Sequence, residues 1–161
     1  MSIMSEIIIK EDPSWDDMFI GTARLWALKS KDPNTKIGSC IVGPDNEVVS
    51  VGYNSFPRGI VDDVPERSER PEKYFWFEHS ERNAILQAAR GSAALKGCRM
   101  FVSCCIPCSD CARAIIQVGI TEVVMAQKEE GASRTKWIEA AKRSEQMFNE
   151  AGVKLRYYEG D

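Results

Sequence analysis

Four residues carry chemistry that their spacing makes cooperative: His79, Glu81, Cys108 and Cys111. Cys108 and Cys111 stand as C-x-x-C directly after Pro107, in the run "PCSDCARAIIQVG". Its apolar spacing predicts a helix opened by the proline and ended by Gly119. Positions i and i+3 of a helix face the same side, so both sulfurs can reach one point. In a first turn, the unpaired N–H groups and the helix dipole favour thiolate over thiol. A thiolate pair suits zinc, although the same spacing serves a redox dithiol or a closed structural zinc knuckle. His79 is the only histidine in 161 residues. It opens a second predicted helix, from about His79 to Arg90, closed by Gly91. Within a regular helix, His79 and Glu81 would point to nearly opposite sides. At a helix start, with His79 near the cap, both can surround a point beyond the helix end.

Two helix N-termini, one bearing His79 and the other Cys108 and Cys111, can therefore converge on one metal ion. Three protein ligands leave the fourth position of a tetrahedral zinc to water, whose pKa falls to about 7 there. Glu81 is then a carboxylate placed to move protons rather than a ligand. Cys104 or Cys105 could instead supply a fourth sulfur and close the site into an inert knuckle. That arrangement leaves Glu81 without a purpose, and the strand-to-helix turn separates Cys105 from the 108/111 pair. A redox dithiol explains neither His79 nor Glu81.

The elements that must hold these residues are readable from periodicity. Trp15, Met18, Phe19, Thr22, Ala23, Leu25, Trp26 and Leu28 fit an amphipathic helix capped by Ser14 and ended by "KSKDPNT". "KIGSCIVG" and "EVVSVGYN" read as a hairpin joined by "GPDN". "CRMFVSC", "TEVVMAQ" and "VKLRYY" read as strands, and "SRTKWIEAAKRSEQMFNEAG" as a long amphipathic helix stopped at Gly152. The order α-β-β-α-β-α-β-α-β predicts a three-layer α/β/α sandwich around a five-stranded mixed sheet. Its later strands are mostly parallel, and the hairpin adds one antiparallel pair. The segment from Asn54 to Phe77 has no clear period and carries Pro57, Pro65 and Pro71. So long a loop is more often functional than accidental. Residues 1–161 are expected to form one domain, with 1–12 as a loose arm.

Composition narrows the classes. Hydrophobic residues make up 43% and charged residues 28%, with a net charge of −3 and a pI near 5.4. This is a soluble globular balance without broad attraction to nucleic acid or anionic membranes, although a local cationic pocket for one phosphate remains open. No apolar run approaches a membrane span or a signal-peptide core, so a cytoplasmic location is expected. Four of the six cysteines fall between positions 104 and 111, a clustering that favours metal or catalysis over a disulfide framework. Cys40 and Cys98 sit in apolar runs and read as core residues.

H-x-E followed by P-C-x-x-C is the signature of zinc-dependent nucleobase deaminases. The chain resembles the cytidine deaminase-like superfamily and, within it, the deoxycytidylate (dCMP) deaminases. "HSERNAI" and "IPCSDCARAIIQVGITEVV" carry the first likeness; "SKDPNTKIGSCIV" and "GYNSFPRG" narrow it, and the tail "EAGVKLRYY" agrees. The match runs from about Trp15 to Tyr157. The resemblance implies zinc-dependent hydrolysis of dCMP to dUMP and ammonia, feeding thymidylate synthesis, with Glu81 shuttling protons at a cytosine ring. It implies substrate contacts from Asn54 to the sugar and from the backbone of Ser80 to the pyrimidine carbonyl. Phe56, Pro57 and Arg58 belong to the same loop, with Arg58 a candidate for a phosphate of substrate or regulator. Arg90 corresponds to a family arginine near the site and subunit contacts. Ser80 stands where the family commonly has alanine, and Ser55 replaces the glycine of "GYNG".

The resemblance further implies a homo-oligomer, hexamer or dimer, with dCTP and dTTP as effectors and Mg²⁺ accompanying an effector nucleotide. The loop "IVDDVPERSERPEKYFWF" lacks histidine and cysteine, so a second structural zinc is not expected. Alternative functions are deamination of another cytosine nucleotide or nucleoside (modified dCMP, dCTP, deoxycytidine) and a non-catalytic zinc-stabilised binding module.

Overall fold

Ser14 starts the first helix by closing a reciprocal cap. Its hydroxyl accepts from the Asp17 N–H at 3.1 Å, while the Asp17 carboxylate accepts from the Ser14 N–H at 2.8 Å. The computed structural model describes residues 10–127 and 135–160. Helix α1 (Trp15–Ala27) buries Phe19, Ile20, Ala23 and Ala27 against a sheet of five strands: β1 (Gly38–Val42), β2 (Val48–Tyr53), β3 (Arg99–Val102), β4 (Glu122–Met125) and β5 (Lys154–Tyr157). A one-turn helix, α2 (Lys73–Trp76), precedes α3 (Ser80–Arg90). Helix α4 (Ser109–Gln117) joins β3 to β4, and α5 (Thr135–Glu150) precedes β5. The expected beginning of the last helix at Ser133 and Arg134 lies outside the described residues, as do residues 1–9 of the expected arm. At the arm's described end, Lys10 is tied to the Asp17 carboxylate at 2.7 Å and to the Gly160 carbonyl at 2.6 Å.

The sheet order is β2-β1-β3-β4-β5. Strand β1 is antiparallel to β2 and also to β3, whereas β3, β4 and β5 run parallel. The sequence reading expected one antiparallel pair; there are two. The reason is topological. Strands β2 and β3 run in the same direction and are linked through α3, a crossover unit with β1 inserted between its strands. Crossovers of this kind share one hand, so α3, α4 and α5 fall on the same face. Core packing agrees: Ile41, Met100, Val102, Val123 and Met125 pack with these helices, while Cys40, Val42, Phe101 and Val124 pack with α1. The alternation follows the two-residue period of the strands. Because β1, β3 and β4 are covered on both sides, they read as nearly unbroken apolar runs.

Close approach of the helices to the sheet depends on two glycines. A Cβ on Gly38 would lie 1.8 Å from the Ala23 carbonyl oxygen of α1. One on Gly52 would meet the Ser80 carbonyl oxygen and the Ala84 nitrogen of α3, each at 2.4 Å. The segment between β2 and α3 contains a short 3-10 turn (Pro65–Ser68) and α2. Its ends are pinned by paired backbone bonds between Ser55 and Glu78, at 3.1 and 2.8 Å. Among the described residues, no helix is long and apolar enough to cross a membrane.

Gly52→Ala is expected to destabilise the protein by about 1–3 kcal/mol, because backbone cannot yield as a side chain does. Gly21→Ala, inside α1 with open space at the Cβ position, is expected to stabilise by about 0.5–1 kcal/mol through helix propensity. Urea denaturation of the two variants against the parent chain measures both.

Candidate active site

Strands β2 and β3 are each followed by a helix that begins at the same edge of the sheet. His79 is the N-cap of α3 and Cys108 the N-cap of α4, both with extended backbone (ψ 153° and 168°) and neither side chain capping its own helix. Both side chains are thereby directed past the helix ends. The reading of Pro107 as the opening residue of α4 is corrected by two positions, since the helix begins at Ser109. Pro107 precedes the cap, and the Cys108 carbonyl already accepts the first helical bond, from Ala112, at 2.8 Å. Cys111 falls at the third helical position and is fully buried.

One ligand atom from each of His79, Cys108 and Cys111 lies within 4.8 Å of the others. The His79 Nδ1 is 3.4 Å from the Cys108 Sγ and 3.5 Å from the Cys111 Sγ. Tetrahedral bonds of about 2.05 Å to nitrogen and about 2.3 Å to sulfur separate N from S by about 3.55 Å. The three atoms thus already fit the spacing that one zinc ion requires. Among the described residues, neither Cys104 nor Cys105 joins this group.

Without metal, the three groups share protons. A hydrogen bond with Cys108 raises the His79 pKa to about 9, against the opposing effect of burial. The hydrogen bond from Cys111, with help from His79, holds the Cys108 thiol well below its ordinary range. The same bond to Cys108, together with burial, pushes the Cys111 thiol up. These directions favour a thiolate on Cys108 and keep protons on Cys111 and His79.

Glu81 occupies the second position of α3 and is 6% exposed. Burial raises its pKa, and the charge of His79 opposes that rise. Its Oε2 accepts from the Ser80 hydroxyl at 3.0 Å, and that hydroxyl in turn pairs with the Ser39 hydroxyl at 2.7 Å. Glu81, His79 and Cys108 open into one cavity of about 410 Å³, which Asn54 and Ser80 also line. Phe77, Tyr74 and Ile106 form apolar wall, and Arg70 and Lys73 contribute cationic groups.

Of the other expected contact residues, Asn54 is buried, with its amide engaged. Its Oδ1 accepts from the Ile37 N–H at 2.8 Å, and its Nδ2 donates to the Thr35 carbonyl at 2.8 Å and to Asp32 at 3.4 Å. Phe56 packs its ring against Phe77 with centroids 4.3 Å apart. Phe56, Pro57 and Arg58 do not line the cavity, and the Arg58 guanidinium bonds the Gln87 side chain. Arg90 is exposed at the far end of α3, about 16 Å from its start along the axis. Sequence reasoning missed Asp32, Arg70 and Lys73. Lys73 meets the buried Asp32 carboxylate at 2.5 Å, and Asp32 also accepts from the backbone of Asn34 and Thr35. The available signals were the long loop running directly into His79 for Arg70 and Lys73, and the motif "SKDPNT" for Asp32.

An α/β/α sandwich that gathers one histidine, two cysteines and a buried glutamate at two helix N-termini has the architecture of the zinc-dependent deaminases. Residues 13–127 match the family described as the cytidine and deoxycytidylate deaminase zinc-binding region, and the chain belongs to that family. It is 38% identical to the deoxycytidylate deaminase of Homo sapiens, over 96% of this chain and 87% of the human one. It is 41% identical to a probable deoxycytidylate deaminase of Drosophila melanogaster, over 71% of this chain and 60% of that one. In structure it is similar to the dCMP deaminase of cyanophage S-TIM5 in complex with dCMP and dUMP. The TM-score is 0.69 at 22% identity, over 92% of this chain and all (100%) of that one. The expected family and fold are borne out.

Zinc added to the metal-free protein near pH 7.5 is expected to release about two protons, one from Cys111 and one from His79. Apparent affinity should therefore fall steeply as pH decreases below the His79 pKa of about 9. Titration in weakly buffered solution with a pH indicator reads the proton count. A release of none would contradict the protonation states derived above.

Proposed function

We propose that the protein is a zinc-dependent hydrolase that deaminates dCMP to dUMP and ammonia. The observation that carries this reading is the opening of Glu81, His79 and Cys108 into one cavity, with Cys111 buried beside them within reach of the same metal position. Zinc held by His79, Cys108 and Cys111 would supply Lewis acidity and lower the pKa of a bound water to about 7. Glu81 takes a proton from the attacking water and gives it to N3 of the cytosine ring; it then takes the proton of the new C4 hydroxyl and delivers it to the amino group, which leaves as ammonia when the C4–N bond breaks. A carboxyl whose pKa is raised by burial suits this traffic, because it is stable both charged and neutral. The Ser80 hydroxyl holds Oε2, leaving the other carboxyl oxygen for the reaction. The Ser80 backbone N–H, unpaired within the first turn of α3, is available to the pyrimidine carbonyl.

Similarity to deoxycytidylate deaminases supports dCMP as the substrate. The cations at the cavity wall agree with a nucleotide rather than a nucleoside. Lys73 is held by Asp32, so Arg70 is the side chain offered to a 5′-phosphate. Exposed Trp15, Met18 and Leu25 on α1 support assembly into a homo-oligomer. A cytoplasmic location and control by dCTP and dTTP complete the reading.

Glu81→Ala is expected to keep one zinc per chain and to lower kcat by about 10²–10⁴-fold. Metal analysis and loss of cytosine absorbance measure the two separately, and an unchanged rate would overturn the proton-shuttle role. Offered dCMP, CMP, deoxycytidine and dCTP, the zinc-loaded protein is expected to prefer dCMP. Arg70→Ala should raise KM for dCMP while leaving that for deoxycytidine unchanged; preference for deoxycytidine by the parent chain would reverse the substrate assignment.

A further inference from the structure

The cavity contains a second pair of thiols that the deamination chemistry does not use. Cys104 and Cys105 follow β3, line the cavity, and bring their sulfurs to 3.3 Å of each other. We infer that Cys104 and Cys105 form a reversible oxidation site, at which hydrogen peroxide closes a vicinal disulfide in the wall of the active-site cavity. The effect on turnover rests on the function proposed above; the pairing itself does not.

Three features single out this pair. None of the six cysteines is in a disulfide. Cys40 and Cys98 are buried, at 0% and 2% exposure, and do not line the cavity. Cys108 and Cys111 belong to the metal group, where a bound ion would occupy their sulfurs. Cys104 and Cys105 are half-buried, border the cavity through which a small peroxide can enter, and stand outside the metal group. Their backbone is a bend between β3 and α4, so closing a ring there breaks no strand pairing.

The electron balance is that of a dithiol and a peroxide. One sulfur attacks a peroxide oxygen, the O–O bond breaks, and a sulfenic acid and one water result. The neighbouring sulfur then attacks the sulfenyl sulfur, the S–O bond breaks, and a second water leaves as the S–S bond forms. The dithiol loses two electrons, the peroxide gains them, and both thiol protons end in water. Adjacent Cα atoms lie about 3.8 Å apart, below the usual span of about 4.4–6.8 Å for disulfides. Ring closure between neighbours is consequently strained, and such bonds are readily reduced by small thiols. Ring closure withdraws both side chains from the cavity wall and shifts the bend that leads, through Ile106 and Pro107, to Cys108.

The test uses zinc-loaded chain exposed to graded hydrogen peroxide, quenched, unfolded with chelator, alkylated and digested with trypsin. Fragmentation of the peptide spanning 100–113, which holds all four clustered cysteines, shows which sulfurs escaped alkylation. Expected is an unalkylated Cys104–Cys105 pair lighter by two hydrogens, with Cys108 and Cys111 alkylated and zinc content unchanged before unfolding. The dCMP rate should fall roughly tenfold or more, since a misplacement of about 1 Å near the reacting centre can cost about a hundredfold. Dithiothreitol should restore both mass and rate. Cys104→Ser and Cys105→Ser chains, each compared with its own untreated rate, should keep that rate through the same exposure. Alkylation of both thiols after peroxide, pairing of Cys105 with Cys108, zinc loss before the pair forms, or a closed pair with an unchanged rate would each overturn the inference. A chain that turns over no dCMP before oxidation would refute the proposed function instead, and the mass readout would still decide the pairing.

Discussion

The site depends on bringing two helix N-termini within a few ångströms of each other. Isolated, each end would carry unpaired N–H groups and partial positive charge, and the two would repel. What joins them is the sheet. Strands β2 and β3 run the same way, so the helices that follow them begin at the same edge, where layered α/β proteins place their ligands. Strand β1, running oppositely between them, starts at that edge and braces it. Its Gly38 N–H donates to the Ser103 hydroxyl at 2.9 Å, and its Ser39 hydroxyl meets Ser80 on α3. The approach of α3 requires Gly52 on β2, since any side chain there would enter the helix backbone. The close packing of one glycine is therefore coupled to the position of His79 and Glu81 a helix turn away.

Electrostatics explains why negative groups collect where the helices meet. Two positive helix ends stabilise a thiolate, and the imidazolium of His79 adds to that field. Glu81 sits in the same field but is almost wholly buried, and desolvation outweighs attraction. Cys108 and the Glu81 carboxyl therefore have opposite protonation tendencies within one cavity. That contrast is what a site needs if one part is to hold a cation and another is to carry protons between a water and a base ring.

Much of the architecture was legible because its signals are local. Strands β1, β3 and β4, covered on both faces, announce themselves as apolar runs, and Ser14 with Asp17 marks a helix start within four residues. The convergence of His79, Cys108 and Cys111, with Glu81 beside them, was legible because a shared metal position would restrict residue type and spacing together. What the sequence hid is what depends on the path of the chain. The insertion of β1 between β2 and β3 follows from crossover geometry, which no single strand encodes. Asp32 and Lys73, 41 residues apart, each read as an ordinary loop charge until the fold buries them together. Cys108 was displaced by two positions, from the second helical residue to the cap, because Pro107 is compatible with both the first turn and the residue before the cap.

The segment between β2 and α3 supplies Asn54, Arg70, Lys73, Tyr74 and Phe77 to the cavity wall. Its ends are fixed by the Ser55–Glu78 backbone pair and the Phe56–Phe77 ring contact. Its middle is fixed by Lys73, whose ammonium reaches the buried Asp32, the carboxylate that also receives Asn54. A buried ion pair of this kind adds little net stability, because desolvation offsets attraction, but breaking it leaves a costly unpaired charge. Its effect is to specify geometry. It holds Asn54 and the α2 turn in one register, and so sets where Arg70, Tyr74 and Phe77 face the cavity. The His79, Cys108 and Cys111 group is placed by the sheet; this loop, placed by one ion pair and one aromatic contact, forms another part of the cavity wall. Two such independent constraints let the reaction centre remain fixed in this fold while the surface that meets the rest of the ligand changes.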